Sequence, residues 1–467
     1  MNFDSAFFIT CFLPVFAVVY CLLRGSRAKN AALLVGSLLF YAFGRLSGVL
    51  LLLAVTAVNY GFGLWIRRAE RGKAPAALAV ILDLLFLGAF KYLDFALAAV
   101  LPLLSAEQSL PGLAAPVGIS FFTFKCISYV LDTYRDREKG TDSFFRLLLY
   151  VSFFPQLMAG PITRFDGFDA QLDAREITLA SFAGGLRRFI LGLGKKLFLA
   201  AAAARVADGV FGAEAAALDI RLGWLGAAAY TLQIFFDFSG YSDMAIGLGN
   251  MFGFAAPENF DYPYTAVSVS DFWRRWHISL STWFRDYLYI PLGGNRRGPA
   301  RAALNKLIVF ALCGLWHGAA WTFVVWGLWH GLLSALESLQ VIPAKRLSET
   351  APGRVVARVY TLLAVCLGFV VFRADSFAGA LRIFSAMSGA FPVTTASTVL
   401  LHRLLSAENV CLLLLSAVLC APVGKRLGAL TEGRLRAVPY ALSAALLVLC
   451  LTALAAGGFT PFIYFQF

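Results

Sequence analysis

The sequence predicts an all-α polytopic membrane protein, and three observations carry that reading. Of its 467 residues, 60% are hydrophobic and only 14% charged, more apolar surface than one soluble core can hide. Uncharged runs such as FFITCFLPVFAVVYCLL (7–23), GVLLLLAVTAVNYGFGLWI (48–66) and NVCLLLLSAVLCAPVG (409–424) recur along the chain. At ~20 residues per span, the runs suggest roughly ten to twelve crossings. The period-2 alternation of a barrel is absent, so the spans should be helical. With no long polar linker or soluble domain, residues 1–467 read as a single membrane domain.

No Lys or Arg precedes the first apolar run and no small-residue cleavage site stands out, so a retained first helix is expected. RGSRAK (24–29) follows the first span and RRAERGK (67–73) the third. Positive charge stays on the cytoplasmic side, which puts both loops there and the N-terminus outside, in a bacterial cytoplasmic membrane whose lipids are the first partners. Such loops largely explain the net charge of +13, and no soluble basic domain exists to hold nucleic acid. The eight cysteines lie in or beside apolar runs without a C-x-x-C pair, so they read as small core residues and not as disulfides or metal ligands.

Residues 1–110 read as ordinary spans, and so do 350–467, which close on the aromatic tail GGFTPFIYFQF (457–467). Between 115 and 335, aromatics, Gly, Pro and charges enter apolar stretches, which a bilayer tolerates only where protein or a water-filled cavity surrounds them. Function should concentrate there. GLRRFILGLGKKLFLA (185–200) is too charged to span and too apolar for a free loop, and is expected to lie along the cytoplasmic interface. DFWRRWHISLSTWFRDYLYIPLGGNRRG (271–298) has the same character, with Trp273, Trp276 and Trp283 suited to the headgroup level.

Three of the four histidines, His277, His317 and His330, fall in this middle region. An imidazole in an apolar site stays neutral because desolvation disfavours its charged form, so it can take a proton from an alcohol. GLWHG occurs twice in residues 314–331, and its histidines are 13 positions apart. At ~100° per residue they are about 220° apart around a continuous helix, so they face one site only if that helix breaks. Gly314, Gly318, Gly327 and Gly331 permit a break, or equally a close helix packing. Elsewhere FFDFSGYSDMAIGLGNMFGF (235–254) sets Asp237 and Asp243 in an apolar helix, where one can orient a histidine and the other cap backbone. PENFDYPYTA (257–266) reads as a rigid connection, and FFPQLMAGPITRF (153–165) as a broken helix with Gln156 as its polar handle.

In sequence order, GISFFTFKCISYVLDTYR (118–135), FFPQLMAGPITRF, FFDFSGYSDMAIGLG, PENFDYPY through RRWHISLSTWFRDYLYIPLGGNRRG, and GLWHGAAWTFVVWGLWHG together resemble the membrane-bound O-acyltransferases. Within that family they resemble the branch that supplies acetyl groups for alginate O-acetylation. The resemblance implies a ring of about eleven spanning helices with re-entrant helices around a thin floor, open to an acyl donor from the cytoplasm and an acceptor from outside. It also places the family's catalytic histidine on His317 and its second histidine on His277. Arg274, Arg275 and Arg285 become candidates to meet the phosphates of coenzyme A, although the positive-inside rule also explains them. Trp273, Trp276, Asp237, Gln156 and Lys125 complete the candidate donor-binding and substrate-binding set. No bound cofactor is implied; acetyl-CoA is the donor substrate, a polysaccharide the final acceptor, and an SGNH-type acetyltransferase the partner in a relay.

Two further activities compete on the same residues. One is transfer of D-alanine from a carrier-protein thioester toward teichoic acid, the activity of a sister branch. The other is a haem-binding electron carrier, which needs a matching histidine pair on a second helix where the chain offers only His277. A passive transporter is a weaker reading, because no inverted repeat is visible.

Overall fold

The computed structural model describes residues 1–44, 46–100, 115–424 and 437–457, and among these it contains helices and no strand. The residues group into two compact units, Met1–Phe189 with Ser242–Pro257, and Ile190–Tyr241 with Glu258–Phe467. Most of the aromatic tail predicted to close the chain, 458–467, lies outside the described residues.

Among the described residues, five helices are long and apolar enough to cross a membrane: Leu46–Arg68, Lys73–Lys91, Pro299–His317, Ala351–Arg373 and Val438–Ala455. Thr395–Leu404 and Ala407–Leu419 form a pair bent by 68° that together pass the same test. Other apolar runs fold as shorter helices, such as Phe8–Leu22 and Phe377–Met387. At ~1.5 Å per residue, each is shorter than a hydrocarbon core of ~30 Å.

In the first unit, Leu46–Arg68, Lys73–Lys91 and Ile119–Arg135 pack together. Asn59 donates to Asp83 over 2.8 Å within that bundle. Beside it, Phe154 collects the rings of Phe8, Phe12, Phe16, Phe40 and Phe252 at 5.4 to 6.4 Å. Geometry of this kind adds ring contacts to plain area burial.

The segment expected to lie along the interface is part of a longer helix. Residues 185–200 are the middle of an unbroken helical run, Leu179–Gly194, the π-helical turn Lys195–Ala200, and Ala201–Phe211. Its cations turn into protein: Lys196 meets Asp237 at 2.6 Å with both side chains buried, and Arg188 meets Asp243 at 2.9 Å. The sequence reading counted charges without their partners on helix Ile220–Met251. The cysteines also divide: Cys126, Cys313, Cys420 and Cys450 are buried, whereas Cys11, Cys21 and Cys411 are exposed on apolar helices.

Candidate active site

The second unit holds the histidines. Helix Pro299–His317 ends at His317, Gly318–Ala320 turn the chain, and Trp321–Ser338 runs back beside it. The helix therefore breaks between the two copies of GLWHG, and the angle reckoned for a continuous helix does not apply. Glycine explains how close the hairpin is: a Cβ on Gly314 would overlap the Phe323 carbonyl, and one on Gly327 the Phe310 carbonyl. Both roles foreseen for the glycines, a break and a close packing, are present.

His317 is 4% exposed and enclosed by the rings of Trp316, Trp326 and Phe372 at 5.0, 5.0 and 5.3 Å. Trp316 also faces His277 at 6.2 Å, and Trp326 faces His330 at 5.2 Å. Histidine and tryptophan thus alternate from His277 through His317 to His330. The expectation that His330 lies on the far side of the helix from His317 is corrected by the break.

His277 sits between two short helices, Val269–Arg275 and Ile278–Phe284, with a left-handed backbone at φ 43°. Asn259, from the loop read in sequence only as a connection, builds this corner. Its backbone carbonyl accepts the Ile278 N–H at 3.0 Å, and its side-chain oxygen accepts the Ser279 N–H and hydroxyl at 3.2 and 3.0 Å. His277 Nδ1 lies 3.3 Å from that same oxygen. A backbone N–H on Asn259 Oδ1 fixes that atom as the acceptor, so Nδ1 carries the proton and Nε2 the lone pair. His277 is therefore a hydrogen-bond acceptor at Nε2.

Glu337 is a second residue that sequence reasoning missed. Buried on Trp321–Ser338, its carboxylate accepts the N–H groups of Val269 and Ser270 at 2.6 and 2.9 Å, holding the start of the helix that carries Trp273. A carboxylate at a helix N-terminus satisfies orphan donors and complements the dipole. Only an acidic residue in an apolar helix signalled it.

Trp273, Trp276 and Trp283, expected at the headgroup level, are 7%, 2% and 6% exposed and packed among rings. Trp276 stacks near Phe272 at 5.3 Å and Trp273 meets Phe310 at 5.1 Å. Arg274 and Arg275 bind Asp271 at 3.2 and 3.1 Å, and Arg285 binds Asp286 at 2.8 Å, so their charge is met within their own segments. Asp237 pairs with Lys196, next in sequence to Phe238, whose ring meets His277 at 4.6 Å. Lys125 and Gln156 belong to the first unit and meet each other: Lys125 Nζ donates to Gln156 Oε1 at 3.3 Å and to the Tyr150 carbonyl at 2.9 Å.

A buried imidazole in an aromatic enclosure, reached from a second neutral imidazole across one indole, suits proton transfer from a hydroxyl. Comparison decides the family: residues 117–372, more than half of the chain, match the profile of the membrane-bound O-acyltransferase family. The chain belongs to that family. This membrane-bound O-acyltransferase is 42% identical over 396 residues to the probable alginate O-acetylase AlgI of Pseudomonas aeruginosa, covering 83% of this chain and 75% of the relative. It is 35% identical over 422 residues to a peptidoglycan O-acetyltransferase of Helicobacter pylori, covering 83% and 80%. A teichoic acid D-alanyltransferase of Bacillus subtilis is more distant, 29% identical over 283 residues, 56% of this chain and 69% of the relative. The chain is accordingly a multi-pass membrane O-acyltransferase related to enzymes of polysaccharide O-acetylation.

Proposed function

We propose that this acyltransferase moves acetyl from acetyl-CoA on the cytoplasmic side to an extracytoplasmic polysaccharide, alginate-like or a cell-wall polymer, through an SGNH-type acetyltransferase partner. The observation that carries the chemistry is His317, a buried imidazole at a helix end enclosed by three aromatic rings. His317 takes the proton of an attacking hydroxyl as its oxygen bonds to the thioester carbonyl carbon. The carbon–sulfur bond then breaks, and the leaving thiolate receives that proton. His277 accepts a hydrogen bond at Nε2 and positions the hydroxyl.

Acetyl as cargo is supported by the higher identity to the two O-acetylating relatives than to the D-alanyltransferase. The test follows labelled acetyl in membranes supplied with acetyl-CoA or with D-alanyl carrier protein. Transfer from acetyl-CoA is expected, and turnover with the carrier alone refutes the assignment. The N-terminus is proposed to face outward in a bacterial cytoplasmic membrane, with 24–29 and 67–73 inside. Cysteines placed in those two loops should resist impermeant reagents in intact cells, and labelling from outside reverses the orientation.

A further inference from the structure

Trp273, Trp326 and His330 form a closed triangle of nitrogen-bearing rings. Their centroids lie 5.7 Å apart for the two indoles, and 5.4 and 5.2 Å from each indole to the imidazole. All three are buried, His330 with 0% exposure. Buried polar atoms are normally hydrogen-bonded. Two other indoles obey this rule: Trp329 Nε1 donates to the Ala364 carbonyl at 2.8 Å, and Trp224 Nε1 to that of Met387 at 3.1 Å. Among the described residues, the indole N–H groups of Trp273 and Trp326 and both ring nitrogens of His330 have no hydrogen-bond partner. Ring packing alone explains none of these nitrogens, because phenylalanine fills such a place at no desolvation cost. The opposite helix leaves room for the imidazole: a Cβ on Gly368 would come within 2.9 Å of His330 Nε2. Trp326 touches His317, so the triangle adjoins the reacting centre.

The chemistry of the three groups selects what they hold. Each indole only donates, and a neutral imidazole donates once and accepts once. Two or three donors without formal charge suit a neutral oxygen acceptor, whereas a carboxylate or phosphate calls for cations. The thiol-bearing arm of a coenzyme A thioester carries amide carbonyls that lose water on entering a buried site and need replacement donors there. We propose that Trp273, Trp326 and His330 seat an amide carbonyl of the acyl donor's arm beside His317, which makes His330 a donor-binding residue. This inference rests on the acetyl-CoA reading above.

A carbonyl held equally in ground and transition states lowers KM and leaves kcat alone. His330→Phe keeps a ring and removes both nitrogens; Trp273→Phe removes one donor. Initial rates of the purified protein over a range of acetyl-CoA concentrations, beside thermal unfolding of each variant, should show KM raised about fivefold to tenfold by either change, with kcat nearly constant. His330→Asn, which restores a donor, should recover part of the loss. An unchanged KM in folded His330→Phe and Trp273→Phe, or a fall in kcat alone, overturns the seat. Failure of the wild-type protein to use acetyl-CoA would instead defeat the donor assignment. The seat would then stand or fall on the same KM comparison with D-alanyl carrier protein, whose phosphopantetheine arm bears the same amides.

Discussion

Gly327→Ala adds one methyl group at the tightest point of the GLWHG hairpin. The new Cβ would overlap the Phe310 carbonyl oxygen, stand 3.0 Å from its carbon and lie 3.2 Å from the Gly314 Cα. Backbone atoms cannot swing aside as a side chain can, so the two helices must part by ~1 Å to restore ordinary contact. Alanine gains ~1 kcal/mol over glycine in a helix interior, against ~1–3 kcal/mol for overpacking, so stability should fall by about 2 kcal/mol at most. Activity should fall much further. Trp326, the residue before Gly327, holds the His317 ring at 5.0 Å, and a misplacement of ~1 Å in a reacting constellation can cost about 10²-fold. Thermal unfolding followed through the buried cysteines, alongside labelled acetyl transfer, measures both effects. A variant that retains transfer within about threefold of wild type would refute the claim that the glycine contact positions the site.

Three other outcomes follow from the structure. His317→Ala should insert into the membrane normally and lose ~10²–10⁴-fold of acetyl transfer, read with the same label. Lys196→Met should lower stability by about 3–5 kcal/mol by stranding a buried carboxylate, whereas Lys196→Met with Asp237→Leu should recover most of it; thermal unfolding of both variants checks the difference. Burial alone would raise Asp219, but hydrogen bonds from Arg221, Ser397 and the Leu222 backbone outweigh it and hold its carboxyl at about 2. A folded value below the unfolded ~3.9 means a contribution of about 2 kcal/mol that is complete above pH ~4 and lost as pH falls toward 2. Asp219→Asn should therefore flatten the acid limb of the unfolding curve.

Helical class, membrane character and the crowded middle region were all legible in the sequence, because they depend on composition and on runs of like residues. His277 and His317 were singled out by their motifs, and Trp316 joins the two rings in the fold. What was illegible depended on partners far along the chain. RRFILGLGKK shows its cations in an apolar run but not that Asp237 and Asp243 meet Lys196 and Arg188. Asn259 looked like loop because its value lies in four polar atoms that arrive at one residue only after folding. His330 was misplaced by a single turn: three residues, 318–320, convert one long helix into two antiparallel ones.

The π-helical turn Lys195–Ala200 makes a different kind of statement, about deletions. A π turn accommodates one residue more than regular α-helix would over the same length. Removing one residue from it would leave regular α-helix over the same length, with the helix on both sides keeping its facing, and would disturb only the residues of the turn itself, Lys196 and its pairing with Asp237 among them. Loss of a single codon there should therefore be less damaging than the same loss from a regular turn, which would rotate everything beyond it by ~100°.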